Sequence, residues 1–146
     1  MRPEIMALLT GISWAVGSFF GKKGLNMAEL DPRVGLIIRL GVSFLVVTII
    51  ALPKLGQFSD ALGLEGGRKG LLNLLIFEGL IAGSAGMIFF YNAIKQGQLT
   101  KVMPLAFATP LWGFLLGWLI GGEQLTPLKS VGAALAIIGI LILASS

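Results

Sequence analysis

Five stretches of this chain are long and apolar enough to restrict it to one kind of solvent. Ile5 to Gly21, Val34 to Leu52, Leu71 to Ile94, Val102 to Ile120 and Leu128 to Ala144 each run near the ~20 residues that a helix rising ~1.5 Å per residue needs to cross ~30 Å of hydrocarbon. The rest of the composition agrees. With 55% hydrophobic residues, 12% charged residues and a mean hydropathy of +0.91, the chain has too little polar surface to coat a soluble domain of 146 residues. In lipid each backbone N–H and C=O must be satisfied within the protein, which leaves helices for segments of this length. The expectation is an all-α, multi-pass integral membrane protein, with five transmembrane helices in a single transmembrane domain over residues 1–146.

Local chemistry marks the ends of these helices. Asp31-Pro32 and Thr126-Pro127 each pair an N-cap side chain with a proline in the first turn, where the missing N–H costs nothing. Residues 54–70, KLGQFSDALGLEGGRKG, form the longest polar connection and have room for a short surface helix. The other connections are tight, so consecutive helices are expected to be antiparallel neighbours. The first apolar run follows Arg2 as a secretory leader would. It continues through Trp14, Ser18 and FFGKKG with no small-residue cleavage pattern, so a retained helix is expected.

Several functions are hard to build from these residues. The chain has no cysteine and no histidine, which removes the thiol nucleophile, the usual general base near neutral pH and the usual zinc ligands. No phosphate loop, metal cluster or catalytic dyad is visible, so neither an enzyme nor a cofactor is expected. The net charge of +4 suits basic loops beside anionic lipid. It does not suit nucleic-acid binding, which needs a basic stripe interleaved with exposed aromatics.

Glycine and charge bear on how the helices associate. Gly17 and Gly21, Gly79 and Gly83, and Gly113, Gly117 and Gly121 are spaced by four, and small residues let helix backbones approach where lipid gives little hydrophobic drive. With the N-terminal side called side A, that side receives Arg2, Lys54, Arg68, Lys69 and Lys129. Side B receives Lys22, Lys23, Arg33, Lys95 and Lys101. Arg39 can reach only side B, by snorkelling. Orientation follows the Lys/Arg difference, so near-equality leaves two expectations open. Either both orientations insert and pair antiparallel, the two-chain version of an inverted repeat, or the first helix fixes one orientation.

The candidate site residues are the polar ones inside apolar runs. Glu78 lies ~10 Å into the bilayer from side A at ~1.5 Å per residue. An acid there must be protonated, paired or facing a wet cavity. It shares an α-helical stripe with Ala82, Ala85, Phe89 and Asn92. It is read either as a proton or cation site that biases which side is open, or as a structural acid bonded to a neighbouring carbonyl. Arg39 enters from side B, ~8 Å deep, so within one subunit the two lie in opposite halves of the membrane. In an inverted second copy Arg39 reaches the depth of Glu78, which makes it the charge-pairing candidate. Trp14 with Ser18 one turn on offers an aromatic face and a hydroxyl to a cation or amine. Tyr91 and Asn92 cluster near side B, where tyrosine also serves as an interface anchor. Pro104 and Pro110 in the fourth helix free backbone carbonyls or kink the helix.

From Phe89 onwards these residues resemble the EamA-type half of the drug/metabolite transporter superfamily. The match lies in Tyr91, Ala93 and Gly97 at a helix end, Pro104 and Pro110 in the fourth helix, Gly122, Glu123, Leu125 and Thr126 in a turn, and a Gly-rich last helix. GISWAVGSFFGKKGL and Arg39 fit more loosely. The resemblance implies an EamA-like half-transporter bundle in the cell inner membrane. It also implies a second copy or homologous half as partner, and movement of a small organic metabolite or cation by alternating access. Glu123 is by resemblance a structural loop residue. A more distant resemblance is to small multidrug resistance proteins, which use a glutamate in the first helix. Here the first apolar run has no acid. The alternative function is a non-transporting scaffold or accessory subunit of a hetero-oligomer.

Overall fold

The computed structural model describes residues 2–122, 124 and 126–145. The order is α1 (Pro3–Met27), α2 (Pro32–Ala51) with a 3-10 turn at Leu52–Lys54, α3 (Gly56–Gly63) and α4 (Gly67–Asn73). A π-helical stretch at Leu74–Gly86 follows, then α5 (Met87–Gln96), α6 (Leu99–Ala106), α7 (Thr109–Leu119) and α8 (Pro127–Ser145). Among the described residues there is no strand. Five helical spans are long and apolar enough to cross a membrane: Pro3–Met27, Pro32–Lys54, Gly67–Gln96, Leu99–Leu119 and Pro127–Ser145. The protein is an all-α, multi-pass membrane protein.

The ends of these helices follow from their residues. Asp31 caps α2 by accepting a hydrogen bond from the Arg33 N–H at 2.8 Å, with Pro32 in the first turn. Thr126 Oγ1 accepts from the Lys129 N–H at 3.3 Å at the start of α8. Helix α1 continues past Gly21 through Lys22 and Lys23, good helix formers whose ammonium groups can reach the headgroups from a buried stem. It ends where Glu29 takes the left-handed conformation at φ 51 and the Leu30 N–H closes back on the Leu25 carbonyl at 3.1 Å. The fourth span is interrupted at residues 107–108, between α6 and α7. Residue 110 falls in the first turn of α7. A proline there disfavours helical geometry in the residue before it and cannot donate to the carbonyl four residues back.

The chain divides into two compact units, Met1–Phe19 with Gln96–Ser146, and Phe20–Lys95. In the first, α6 and α7 both pack against α8, and Trp14 of α1 meets Phe107 edge to face, ring centres 5.3 Å apart at 77°. In the second, Leu25 of α1, Leu36 of α2 and Met87, Phe90, Tyr91 and Ile94 of α5 are buried together. Gly35 lets α1 and α2 close up: a Cβ there would lie 2.3 Å from Leu25 Cδ2. Lys95 Nζ donates to the Leu30 carbonyl at 2.5 Å, tying α5 to the α1–α2 turn.

Most of the spans' apolar surface stays uncovered by the chain itself. Among the described residues none in the apolar windows of the fourth and fifth spans is buried, and 11% are in the third. In water such surface would drive aggregation, whereas in a bilayer it is what lipid tails or another subunit's helices cover.

Candidate functional site

The polar residues inside the spans divide between the two units. In the unit of residues 20–95, Arg39 is half-buried on α2. Its guanidinium carbon lies 5.7 Å from the centre of the Tyr91 ring, within cation–π range, and its Nη1 lies 3.8 Å from Met87 Sδ. Tyr91 is buried and meets Phe90 edge on, 6.4 Å between ring centres at 68°. The aromatic that sequence places near the interface belt is thus a packed platform beneath a cation. Its neighbour Asn92 turns to its own helix: Nδ2 donates to the Ile88 carbonyl at 2.8 Å.

Glu78 sits in the π-helical stretch and is exposed. Among the described residues it has no hydrogen-bond or ion-pair partner, so it does not pair with Arg39 of the same chain. Its winding changes which face it shares. Glu78 and Met87 are nine residues apart, which in an α-helix of 3.6 residues per turn is about two and a half turns, on opposite faces. With i→i+5 bonding each turn takes up nearly one more residue, so the same nine residues make about two turns. Glu78 therefore lies close to the line of Gly83, which is half-buried, and Met87, which is buried. The stripe expected from α spacing, with Ala82, Ala85, Phe89 and Asn92, does not form. In its place the acid falls in line with the face that carries Met87 and Tyr91.

Glycine accommodates this winding. A Cβ at Gly83 would stand 2.9 Å from the Glu78 carbonyl oxygen, whereas at Gly79 and Gly86 the nearest carbonyl is at 3.5 Å. Ser84 follows the same wide turns, its hydroxyl donating to the Gly79 carbonyl at 3.0 Å. None of this is visible in the hydrophobic pattern, which reads LLIFEGLIAGSAG as uniformly apolar. The three glycines, at a spacing usually assigned to helix contacts, were the available signal.

In the other unit, Trp14 lines a shallow open cleft along α1 with Met6, Leu9, Thr10 and Ser13. Ser18 is instead buried, 8% exposed. Thr10 Oγ1 is turned to the Met6 carbonyl, 2.9 Å away, which leaves Ser13, missed in the sequence, as the hydroxyl beside Trp14. Phe107 was also missed. It sits at the break in the fourth span between Pro104, which lies inside α6, and residue 110, and its ring meets Trp14 there. By their missing N–H groups the two prolines deprive the carbonyls of Thr100 and Ala106 of the donors an unbroken helix would give them. Glu123 and Leu125 of the turn before α8 lie outside the described residues.

Among the described residues no group of acids could hold a metal ion. Polar side chains are thus set into the apolar spans of both units.

Known proteins similar to this chain are named as transporters or efflux pumps. Transporter YwfM of Bacillus subtilis (strain 168) is 29% identical over 97% of this chain and 45% of its own length. The probable amino-acid metabolite efflux pump of Escherichia coli (strain K12) is 29% identical over 97% of this chain and 42% of its own. The chain thus spans under half the length of these two relatives. A transporter encoded in the cobO 3' region of Sinorhizobium sp is 28% identical over 97% of this chain and 95% of its own length. No solved structure matches. The model of the EamA-like transporter family matches residues 1–145, and with five membrane spans over the same residues, this chain belongs to that family.

Proposed function

We propose that this chain is a half-transporter subunit of the cell inner membrane. It moves a small organic metabolite or cation by alternating access and works as a homodimer whose two copies can pair antiparallel. The observation that carries the reading is Glu78, an exposed acid inside a membrane span that has no hydrogen-bond or ion-pair partner among the described residues. Acids inside membrane spans characteristically face a bundle interior or a water-filled cavity and mark ion and substrate pathways. Here a second copy supplies the missing wall. Lys/Arg near-equality between the two sides supports insertion in both orientations, and the inverted arrangement brings Arg39 of one copy towards the depth of Glu78 of the other. Occupancy of Glu78 by a proton or a cationic group biases the bundle towards one open side, and the break at residues 107–108 gives the fourth span a joint for that movement.

The test is purified protein in proteoliposomes, loaded with a mixture of amino acids, sugars and organic cations and followed by mass spectrometry. Selective flux of one class, lost in Glu78→Ala, supports the reading. Vesicles that retain every solute while the protein is folded and dimeric would replace it with the scaffold reading. Tagging both termini separately and probing their accessibility in intact cells tests the pairing: two populations are expected, and a single one overturns the antiparallel arrangement.

A further inference from the structure

The connection between the second and third spans contains a helix, α3, that the transport reading does not use. Its register is fixed at both ends. The Phe58 N–H bonds to the Leu55 carbonyl at 3.1 Å at the start. At the end the Leu64 N–H bonds to the Ala61 carbonyl at 3.2 Å and the Gly67 N–H to the Leu64 carbonyl at 3.0 Å. Gly66 takes a left-handed φ of 80. Gly67 lies so close to Ala61 that a Cβ there would overlap its carbonyl oxygen. These contacts set the register of α3 against the turn that leads into α4.

The face it presents is therefore defined. Leu55, Phe58 and Leu62, spaced to fall on one side of a helix, are 52%, 61% and 46% exposed, while Gln57 and Asp60 occupy the opposite side. Three large apolar side chains on one face, two in the eight-residue helix and one at its N-cap, would be unfavourable in water. No water need reach them, because the helix is joined within a few residues to two membrane spans, Pro32–Lys54 and Gly67–Gln96. Both end on side A, so α3 is held at the level of the headgroups. An amphipathic helix at that level buries its apolar face at the boundary between headgroups and acyl chains. Three exposed cations flank it: Lys54 before, Arg68 and Lys69 after. Acids in the same connection are Asp60, on the face turned away from the stripe, and Glu65.

We infer that α3 is an interfacial helix that docks on the side-A leaflet through Leu55, Phe58 and Leu62, and that Lys54, Arg68 and Lys69 recruit anionic phospholipid headgroups to it. The inference rests on the membrane spans and not on transport, so it stands or falls independently of the solute-flux experiment.

The absence of cysteine makes the test direct. Phe58→Cys, Leu62→Cys and Asp60→Cys, each carrying a nitroxide, are placed in phosphatidylcholine vesicles with and without phosphatidylglycerol. Collision with oxygen, which partitions into lipid, is compared with collision with a water-soluble nickel complex. At positions 58 and 62 oxygen accessibility is expected to exceed nickel accessibility several-fold, with the reverse at position 60. Two substituted positions on the stripe guard against one variant misfolding. Equal nickel accessibility at all three positions places the helix in water and overturns the inference. Shielding from both reagents that grows with protein-to-lipid ratio means that protein covers the stripe, and overturns it too. For the headgroups, co-purified phosphatidylglycerol is measured in the native chain and in a Lys54→Gln, Arg68→Gln, Lys69→Gln variant. A loss of up to about fivefold per cation is expected, and unchanged retention overturns that half of the inference.

Discussion

Arg39 of α2 meets Tyr91 of α5, the guanidinium carbon 5.7 Å from the ring centre. Tyr91→Phe keeps the ring and is expected to keep the contact, whereas Tyr91→Leu removes it at a cost of about 1 kcal/mol from the cation–π term. The packing of Phe90 against the ring is lost in addition. A double-mutant cycle of Tyr91→Leu with Arg39→Met, read by unfolding in mixed micelles, should return a coupling of about 0.5–2 kcal/mol. Zero coupling would show that the ring serves only to fill space.

Glu78→Gln keeps the side chain's shape and hydrogen-bonding capacity but cannot titrate. The variant is expected to insert and fold as the native chain does. In proteoliposomes its solute flux under an imposed pH gradient should fall to the level of protein-free vesicles, while exchange driven by solute alone persists. A pH-gradient response equal to the native one would remove proton coupling from Glu78.

The wide turns at Leu74–Gly86 depend on the glycine that sits one turn beyond Glu78. Gly83→Ala pushes a methyl to 2.9 Å from the Glu78 carbonyl, whereas Gly79→Ala and Gly86→Ala meet their nearest carbonyls at 3.5 Å, an ordinary contact. Gly83→Ala should therefore be about 1–3 kcal/mol less stable than either of the other two. Equal stabilities for all three would mean that the winding does not need a glycine at position 83.

Gly35 and Leu25 test the close approach of α1 and α2. A methyl at position 35 would lie 2.3 Å from Leu25 Cδ2 and 3.6 Å from Tyr91 Cε1, and Leu25 is buried. Gly35→Ala is expected to cost about 1–3 kcal/mol through overpacking. Adding Leu25→Ala relieves the clash, so the double variant should be more stable than the sum of the single effects by about 0.5–3 kcal/mol. Additive losses would show that the two residues do not touch.

What could be read from the sequence was set by lipid. Five apolar runs, Asp31-Pro32 and Thr126-Pro127 were enough to place the spans and two of their caps, because membrane length and backbone hydrogen bonding leave few alternatives. Direction around the helix was not legible. The stripe assigned to Glu78 assumed α winding, and nothing in a uniformly apolar LLIFEGLIAGSAG reveals an i→i+5 register. Tyr91 illustrates a second limit. Its position near side B fits both an interface anchor and a buried platform, and only the arrival of Arg39 from α2 distinguishes them. Ser18 and Ser13 differ by five residues on α1, and their spacing alone does not tell that the first is buried while the second lines the cleft beside Trp14.

The third span also has a mechanical property. Wound throughout as α-helix, its 30 residues would reach ~45 Å, well beyond the ~30 Å of hydrocarbon available. Wide turns spread their pitch over more residues, so the stretch from Leu74 to Gly86 takes up part of the excess. Each turn returned to tighter winding would lengthen the rod and swing the Glu78 carboxyl around its axis. The length of this span and the bearing of its acid are therefore set by one variable, the number of residues per turn.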